Sequence, residues 1–355
     1  MITFLIAFLA AFSAADAIVR LLLFLRAPRV PRVTRGKHDR PLIIIPARGE
    51  GAGVAATLAS TQGAPVLLLL DGADAEAEAV GHAHGAQVVV KEPAGPTKAA
   101  ALAWLARTHR SLIESAGTVL LLDVGSTLAP SFFEHFVWPE GADAVQTQLE
   151  GSAGAAADSE RFAQEFEDRG REALGWNVRL RGTGTAFRAA VFLDLAPRLA
   201  TRVEDFEASL LLHRAVIRMA PPEAIVIDEK PESVRSTALQ RARWLVGRYE
   251  LLIRRAPALM TLIARRPAEG LAWLVEVFGR PLSLTVPLRI VAGALLIWKR
   301  QPVAGVAIAA TTLVDAALFV GRTSPKSVLR LAASWMLAAA MTPRALVRWT
   351  RVERR

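Results

Sequence analysis

Residues 41–50 read PLIIIPARGE: a short, wholly apolar run between two prolines, closed by a polar turn carrying a glycine. The same motif returns at 65–70 (PVLLLL), 86–90 (AQVVV) and 118–122 (TVLLL), each followed by a polar or glycine-bearing turn and separated by alanine-rich helical stretches. Short β-like runs alternating with helices predict an α/β domain with a largely parallel sheet across roughly 41–248. Ligands of such sheets bind beyond the carboxyl ends of the strands, so chemistry is to be sought in the turns. The small, flexible stretch 151–158 (GSAGAAAD) reads as a loop beside that site.

Working outward, composition bounds the rest. The chain has 355 residues, 52% hydrophobic and 21% charged, with 43 basic and 33 acidic side chains for a net +10 and no cysteine. This apolar content excludes disorder, and the missing thiols exclude a disulfide framework or a cysteine metal site. A mean hydropathy of +0.32 beside a pI near 10.9 points to membrane segments with basic flanks. Nucleic-acid binding is disfavoured because the arginine clusters flank those segments and lack interleaved aromatics.

Residues 2–25 are apolar for about the 20 residues a helix needs to cross a bilayer. Their two charges, Asp16 and Arg20, stand four apart and can pair on one helical face. Small residues at 13–17 offer a signal-peptide cleavage site as the competing reading, but no basic residue precedes the run, and apolarity continues to Leu25. Arg26, Arg29, Arg32, Arg35, Lys37 and Arg40 follow, and the positive-inside rule holds what comes next in the cytoplasm. Residues 281–298 and 302–320 read as a transmembrane hairpin, with 328–341 as a shorter segment that spans, re-enters or lies at the interface. Segments within 249–280 read as interfacial amphipathic helices or as ordinary packing helices. The expected organisation is an anchor at 1–25, a cytoplasmic domain at 26–248, interfacial helices at 249–280, two or three membrane helices at 281–343 and a basic tail at 344–355, all at the inner cell membrane. The parity of the spans stays open, because the arginines of the tail favour the cytoplasm while three spans would export it.

Several turns carry candidate chemistry. Glu50 closes the first turn, which is equally an ordinary solvated turn. Asp71, after 65–70, can accept a hydrogen bond from a ligand or cap the next helix. Lys98 lies near a helix start, where a cation and free N–H groups suit a phosphate. Asp123, in Asp123-Val124-Gly125-Ser126, could hold a diphosphate through a divalent cation. Gly182-Thr183-Gly184-Thr185 and the pair Glu204-Asp205 follow. Last comes Gln240-Arg241-Ala242-Arg243-Trp244, where Gln240, Arg243 and Trp244 at i, i+3 and i+4 share one helical face. Arg243 could clamp phosphate bidentately and Trp244 pack on a sugar or a lipid.

Taken in order, these motifs resemble the membrane-bound inverting glycosyltransferases of family 2, over roughly 41–250 plus the flanking membrane layout. Gln240-Arg241-Ala242-Arg243-Trp244 matches that family's QxxRW motif at its defining positions. The resemblance implies a GT-A fold, a Rossmann-like mixed sheet, with N-terminal and C-terminal transmembrane helices. It implies a nucleotide-sugar donor, such as a UDP-sugar, bound by Glu50, Asp71, Lys98, Asp123, Gln240 and Arg243. Asp205 is implied as the general base, Glu204 and Trp244 as acceptor contacts, and Asp123 as the ligand of Mg²⁺ or Mn²⁺. His213 is read as structural. The small number of spans implies a lipid acceptor, as in the ceramide and the hopanoid or carotenoid glycosyltransferases. A processive polysaccharide synthase and a non-catalytic scaffold are the alternatives. Two departures stand out: Leu70 replaces the first aspartate of a pair ending in Asp71, and Gly125 replaces the second carboxylate of the DxD motif.

Overall fold

The four apolar runs all become neighbouring strands of one sheet. In the computed structural model, which describes residues 2–29, 36–151, 155–229, 234–279, 282–320 and isolated positions between 326 and 341, seven strands form it. They are β1 (Leu42–Ala47), β2 (Val66–Asp71), β3 (Gln87–Lys91), β4 (Thr118–Leu121), β5 (Ala144–Gln146), β6 (Thr185–Arg188) and β7 (Ile217–Met219). Their order is β7-β5-β6-β4-β1-β2-β3. β1 to β4 run parallel, whereas β6 is antiparallel to both β4 and β5, so the sheet is mixed. Alternation along the apolar runs explains why both faces are covered. Leu42, Ile44, Leu67, Leu69, Val119 and Leu121 enter one core, while Ile43, Ile45, Leu68, Leu70 and Leu120 enter the other.

This order makes a crevice. From β1 the chain winds outward through β2 and β3, then returns to place β4 on the other side of β1, so the direction of winding reverses between β1 and β4. The turns after these two strands diverge at their carboxyl ends, the usual ligand position in open α/β sheets. Because β6 is antiparallel to β4, with Thr185 opposite Leu121, the loop that precedes it reaches the same edge.

Helices α1 (Ile2–Arg26), α2 (Lys98–Thr108), α3 (Glu204–Leu211), α4 (Val234–Arg265), α5 (Pro267–Gly279), α6 (Leu282–Trp298) and α7 (Pro302–Val320) complete the parts that matter here. Two expectations meet a difference. Of the loop read at 151–158, residues 152–154 lie outside the described residues, and the helix Ala155–Phe162 already takes in the remainder after Gly151. The chain also shows no break at 248, because α4 runs continuously through it and carries QRARW and the first of the segments read as interfacial on one rod.

The apolar ends form helices where the sequence places them, and α1 packs against α5, α6 and α7. Among the described residues, however, no helix is long and apolar enough to cross a membrane. Helix α1 is continuous and carries Asp16 and Arg20, and α6 is only 17 residues long with Arg289 inside it. The basic tail at 344–355 lies outside the described residues.

A buried ionic chain joins these helices to the α/β domain. Arg289 donates to Asp16 at 2.7 Å, Asp16 lies 3.7 Å from Arg20, and Arg20 lies 3.8 Å from Glu167. Glu167 meets Arg179 at 2.9 Å, and Arg179 also binds Asp168 and Glu276. Glu276 holds Arg171 at 2.6 Å, and Arg181 closes the chain on Asp168 and Glu160. Five guanidinium groups thus face five carboxylates with almost no solvent.

Candidate active site

Four of the expected site residues meet at the crevice. Asp123 follows β4, and Lys98 opens α2, whose N-cap Thr97 accepts from the Ala100 amide. Glu204 and Asp205 open α3. The Lys98 ammonium donates to Asp123 Oδ1 at 2.5 Å and to the Gly182 carbonyl at 3.2 Å, and lies 3.1 Å from Glu204 Oε1. A lysine ammonium has three donors, and all three are directed. Asp205 stands on the far side of Gly182: a side chain built on that glycine would come within 3.6 Å of Asp205 Oδ2.

The surrounding loop is locked from behind. Gln146, at the end of β5 and fully buried, donates to the carbonyls of Thr183 and Gly184 and accepts from the Arg181 amide. Thr183 Oγ1 accepts from the Asp123 amide and donates to Ser126, which donates in turn to Asp228. Gly182-Thr183-Gly184-Thr185 stands out along the chain, whereas Gln146 and Asp228 have no local motif to mark them.

One ammonium faces three carboxylates, and the electrostatics follow from that imbalance. Burial pulls Lys98 down, but Asp123 and Glu204 more than offset it, and its pKa lies above that of an ordinary lysine. Asp205 moves from an ordinary 3.8 to about 7, chiefly through burial and secondarily through the charge of Glu204. The Phe206 amide, donating to Asp205 at 2.8 Å, pulls the other way. A carboxylate so placed takes up and releases a proton near neutrality.

Helix α4 is set beside this cluster. A side chain at Gly247 would come within 2.5 Å of Val203, so only glycine lets the helix approach the residue before Glu204 this closely. Below that contact Arg255 reaches Glu207 at 2.5 Å and Arg248 covers the Phe206 ring. Arg243 and Trp244 lie one turn before Gly247 and Gln240 two turns before, so all three share the helical face of that glycine. Trp244 is partly exposed, at 36%. Arg241 instead turns inward and binds Ser334.

Asp71 and Glu50 are placed differently. Asp71 ends β2, is 6% exposed and accepts from the Gly95 amide at 2.6 Å, with Lys91 at 3.4 Å and Arg48 at 3.6 Å. Those contacts tie the loop before Lys98 to the sheet. Glu50 stands at the carboxyl end of β1 and begins the short turn Gly51–Val54 without a side-chain cap bond. His213, half-buried with its pKa lowered mainly by burial, lies 3.3 Å from the Leu210 carbonyl, away from the cluster.

The donor set does not fit the divalent cation expected at Asp123. Its carboxylate is engaged by Lys98, Glu204 is engaged by the same ammonium, and position 125 is a glycine at φ +86 whose amide donates to Thr57. Among the described residues no group of three or more His, Cys, Asp or Glu is arranged to hold a metal.

Two solved structures are similar to the chain. Glucosyl-3-phosphoglycerate synthase from Mycobacterium tuberculosis, in complex with phosphoglyceric acid, is 18% identical, over 60% of this chain and 80% of that one, with a TM-score of 0.39. A mycobacterial protein is 15% identical, over 67% of this chain and 78% of its own, with a TM-score of 0.36. Superpositions this loose carry no activity or substrate over to this chain. No protein-family profile matches it, and no curated protein sequence does.

Proposed function

We propose that the chain is a glycosyltransferase of GT-A type, related to family 2, that moves a sugar from a nucleotide-sugar donor, such as a UDP-sugar, to the hydroxyl of a lipid-like acceptor with inversion at the anomeric carbon. The observation that carries this reading is the cluster at the crevice where the winding of the sheet reverses: Lys98 held between Asp123 and Glu204, with Asp205 beside them at the start of the same helix as Glu204. Asp205 accepts the proton of the acceptor hydroxyl as its oxygen attacks the anomeric carbon. The bond to the leaving diphosphate breaks on the opposite face, where Lys98 and the Gln240–Arg243 pair meet the developing charge. Trp244 and Glu204 bound the acceptor side.

The membrane part of the reading rests on an inverted distribution of side chains. In the helical group Asp16, Arg20 and Arg289 are buried, while Ile18, Ile290, Val291, Trp298, Val303 and Leu313 are exposed. A water-facing bundle puts its charges outside; one seated in lipid hides them and pairs them. In this reading helices α1, α6 and α7 seat in lipid, the domain lies on the cytoplasmic face, and the acceptor reaches Trp244 from the membrane.

The test is a donor and acceptor screen on the purified full chain in lipid nanodiscs, with UDP- and GDP-sugars and with membrane lipid extract as acceptor, followed by NMR of the product. The expected result is a glycolipid with inverted anomeric configuration, lost in Asp205→Asn. Absence of transfer from every donor, or unchanged turnover in Asp205→Asn, would overturn the reading.

A further inference from the structure

We infer that Lys98 is the resident cation of this site, so that the donor diphosphate is bound, and sugar transfer runs, without a divalent metal. The inference rests on the glycosyl-transfer reading above for its substrate, but its core is a statement about what the residues can hold.

Three observations carry it. First, the ammonium is fixed: two carboxylates and a carbonyl, from the turn after β4, the start of α3 and the loop before β6, surround one Nζ. A metal ion at such a place would have the same task, gathering donors from separate elements around one positive charge. Second, Asp123 is the only carboxylate of its turn, because Gly125 occupies the position from which a second would come. Third, the loop supplying the Gly182 carbonyl is anchored through Gln146 and Thr183 and is not free to rearrange around an ion of different coordination. The strong pairing also keeps Lys98 charged at every working pH, which a stand-in for a metal requires.

When the donor arrives, a diphosphate oxygen takes one of the three ammonium hydrogen bonds. Glu204, 3.1 Å away against 2.5 Å for Asp123, is the partner that yields. Its released carboxylate remains beside Asp205, on the side where the acceptor hydroxyl is expected. Gln240 and Arg243, on the facing helix, share the diphosphate charge that a metal would otherwise neutralise.

The experiment uses the full-length protein in nanodiscs and reads metal and nucleotide separately. Mn²⁺ alone is titrated by electron paramagnetic resonance, and UDP and GDP by calorimetry with and without EDTA. The expected result is no stoichiometric Mn²⁺ binding, nucleoside-diphosphate affinity and turnover within about twofold in EDTA, and at least a tenfold loss of affinity in Lys98→Gln that Lys98→Arg partly restores. The double variant Lys98→Ala with Gly125→Asp, which frees the carboxylates of Asp123 and Glu204 and adds a third, is expected to gain Mn²⁺ binding. Stoichiometric Mn²⁺ binding by the wild type, or a tenfold loss of nucleotide affinity in EDTA restored by Mn²⁺, would overturn the inference. If no nucleotide binds under any condition, the glycosyl-transfer reading fails. The Mn²⁺ titration still decides, on its own, whether this donor set takes a divalent ion.

Discussion

Two clusters of charge lie within one molecule and behave in opposite ways. In the ionic chain from Arg289 to Glu160, five guanidinium groups and five carboxylates alternate. In the crevice one ammonium pairs with Asp123 and Glu204, and Asp205, beside them without an ion pair to it, is driven to a pKa near 7. The first arrangement matches charge for charge; the second leaves one carboxylate beyond the reach of its single cation, and that carboxylate can take a proton. Balance makes a joint, and imbalance makes a reactive site.

The sharpest way to break that contrast is to remove the surplus carboxylate. Asp205→Asn should lower turnover by two to four orders of magnitude with donor affinity largely kept, as single-turnover rates and calorimetry would register. An equal fall in donor affinity would place Asp205 with the matched charges instead. The converse change unbalances the joint. Arg179→Met leaves Glu167, Asp168 and Glu276 short of a buried partner and should destabilise the fold by about 3–5 kcal/mol, read as a fall in denaturation midpoint. Pairing it with Glu276→Met should recover part of that loss.

The pH dependence of the site separates the two regions further. As a base, Asp205 must be ionised, so kcat/KM should rise with pH and level off above about 7. Its effect on folding has the reverse sign. A raised pKa means that the folded state favours the neutral acid, a contribution complete below about pH 4 and lost as pH rises through about 7. Asparagine stays neutral. Asp205→Asn should therefore be as stable as the wild type near pH 4 and more stable by about 1–3 kcal/mol above pH 7, since each pH unit between the folded and unfolded pKa is worth at most about 1.36 kcal/mol. Thermal melts across that range test this. The smallest effect is expected at the rim: Trp244→Ala should raise KM for a lipid acceptor several-fold and leave donor affinity unchanged.

Much of this was legible along the chain. β1 to β4 announce themselves because strands covered on both faces must be apolar throughout, and the motif residues follow strand ends, where a sheet of this kind puts its chemistry. β5, β6 and β7 are three or four residues long and have no such run, so the antiparallel β6 that brings Gly182 to Lys98 was invisible. The sequence offers Asp71 as a ligand acceptor or a helix cap; only the fold shows it committed to Gly95, Lys91 and Arg48. A lysine near a helix start suggests phosphate, but its grip on Asp123 and Glu204, 25 and 106 positions away, has no local signature. Nor do the partners of the ionic chain, of which only Asp16 with Arg20 is a helical neighbour.

That one local pair has a meaning in time. Asp16 and Arg289 are separated by 273 positions, and at 5–20 residues per second a ribosome needs roughly 15–50 s to make the interval. Until then Arg20, four residues along the same helix, is the counter-charge Asp16 carries with it from birth. Helix α1 is thus joined to its buried partner only long after it is made, and a chain that stops short of residue 289 leaves Asp16 with Arg20 alone.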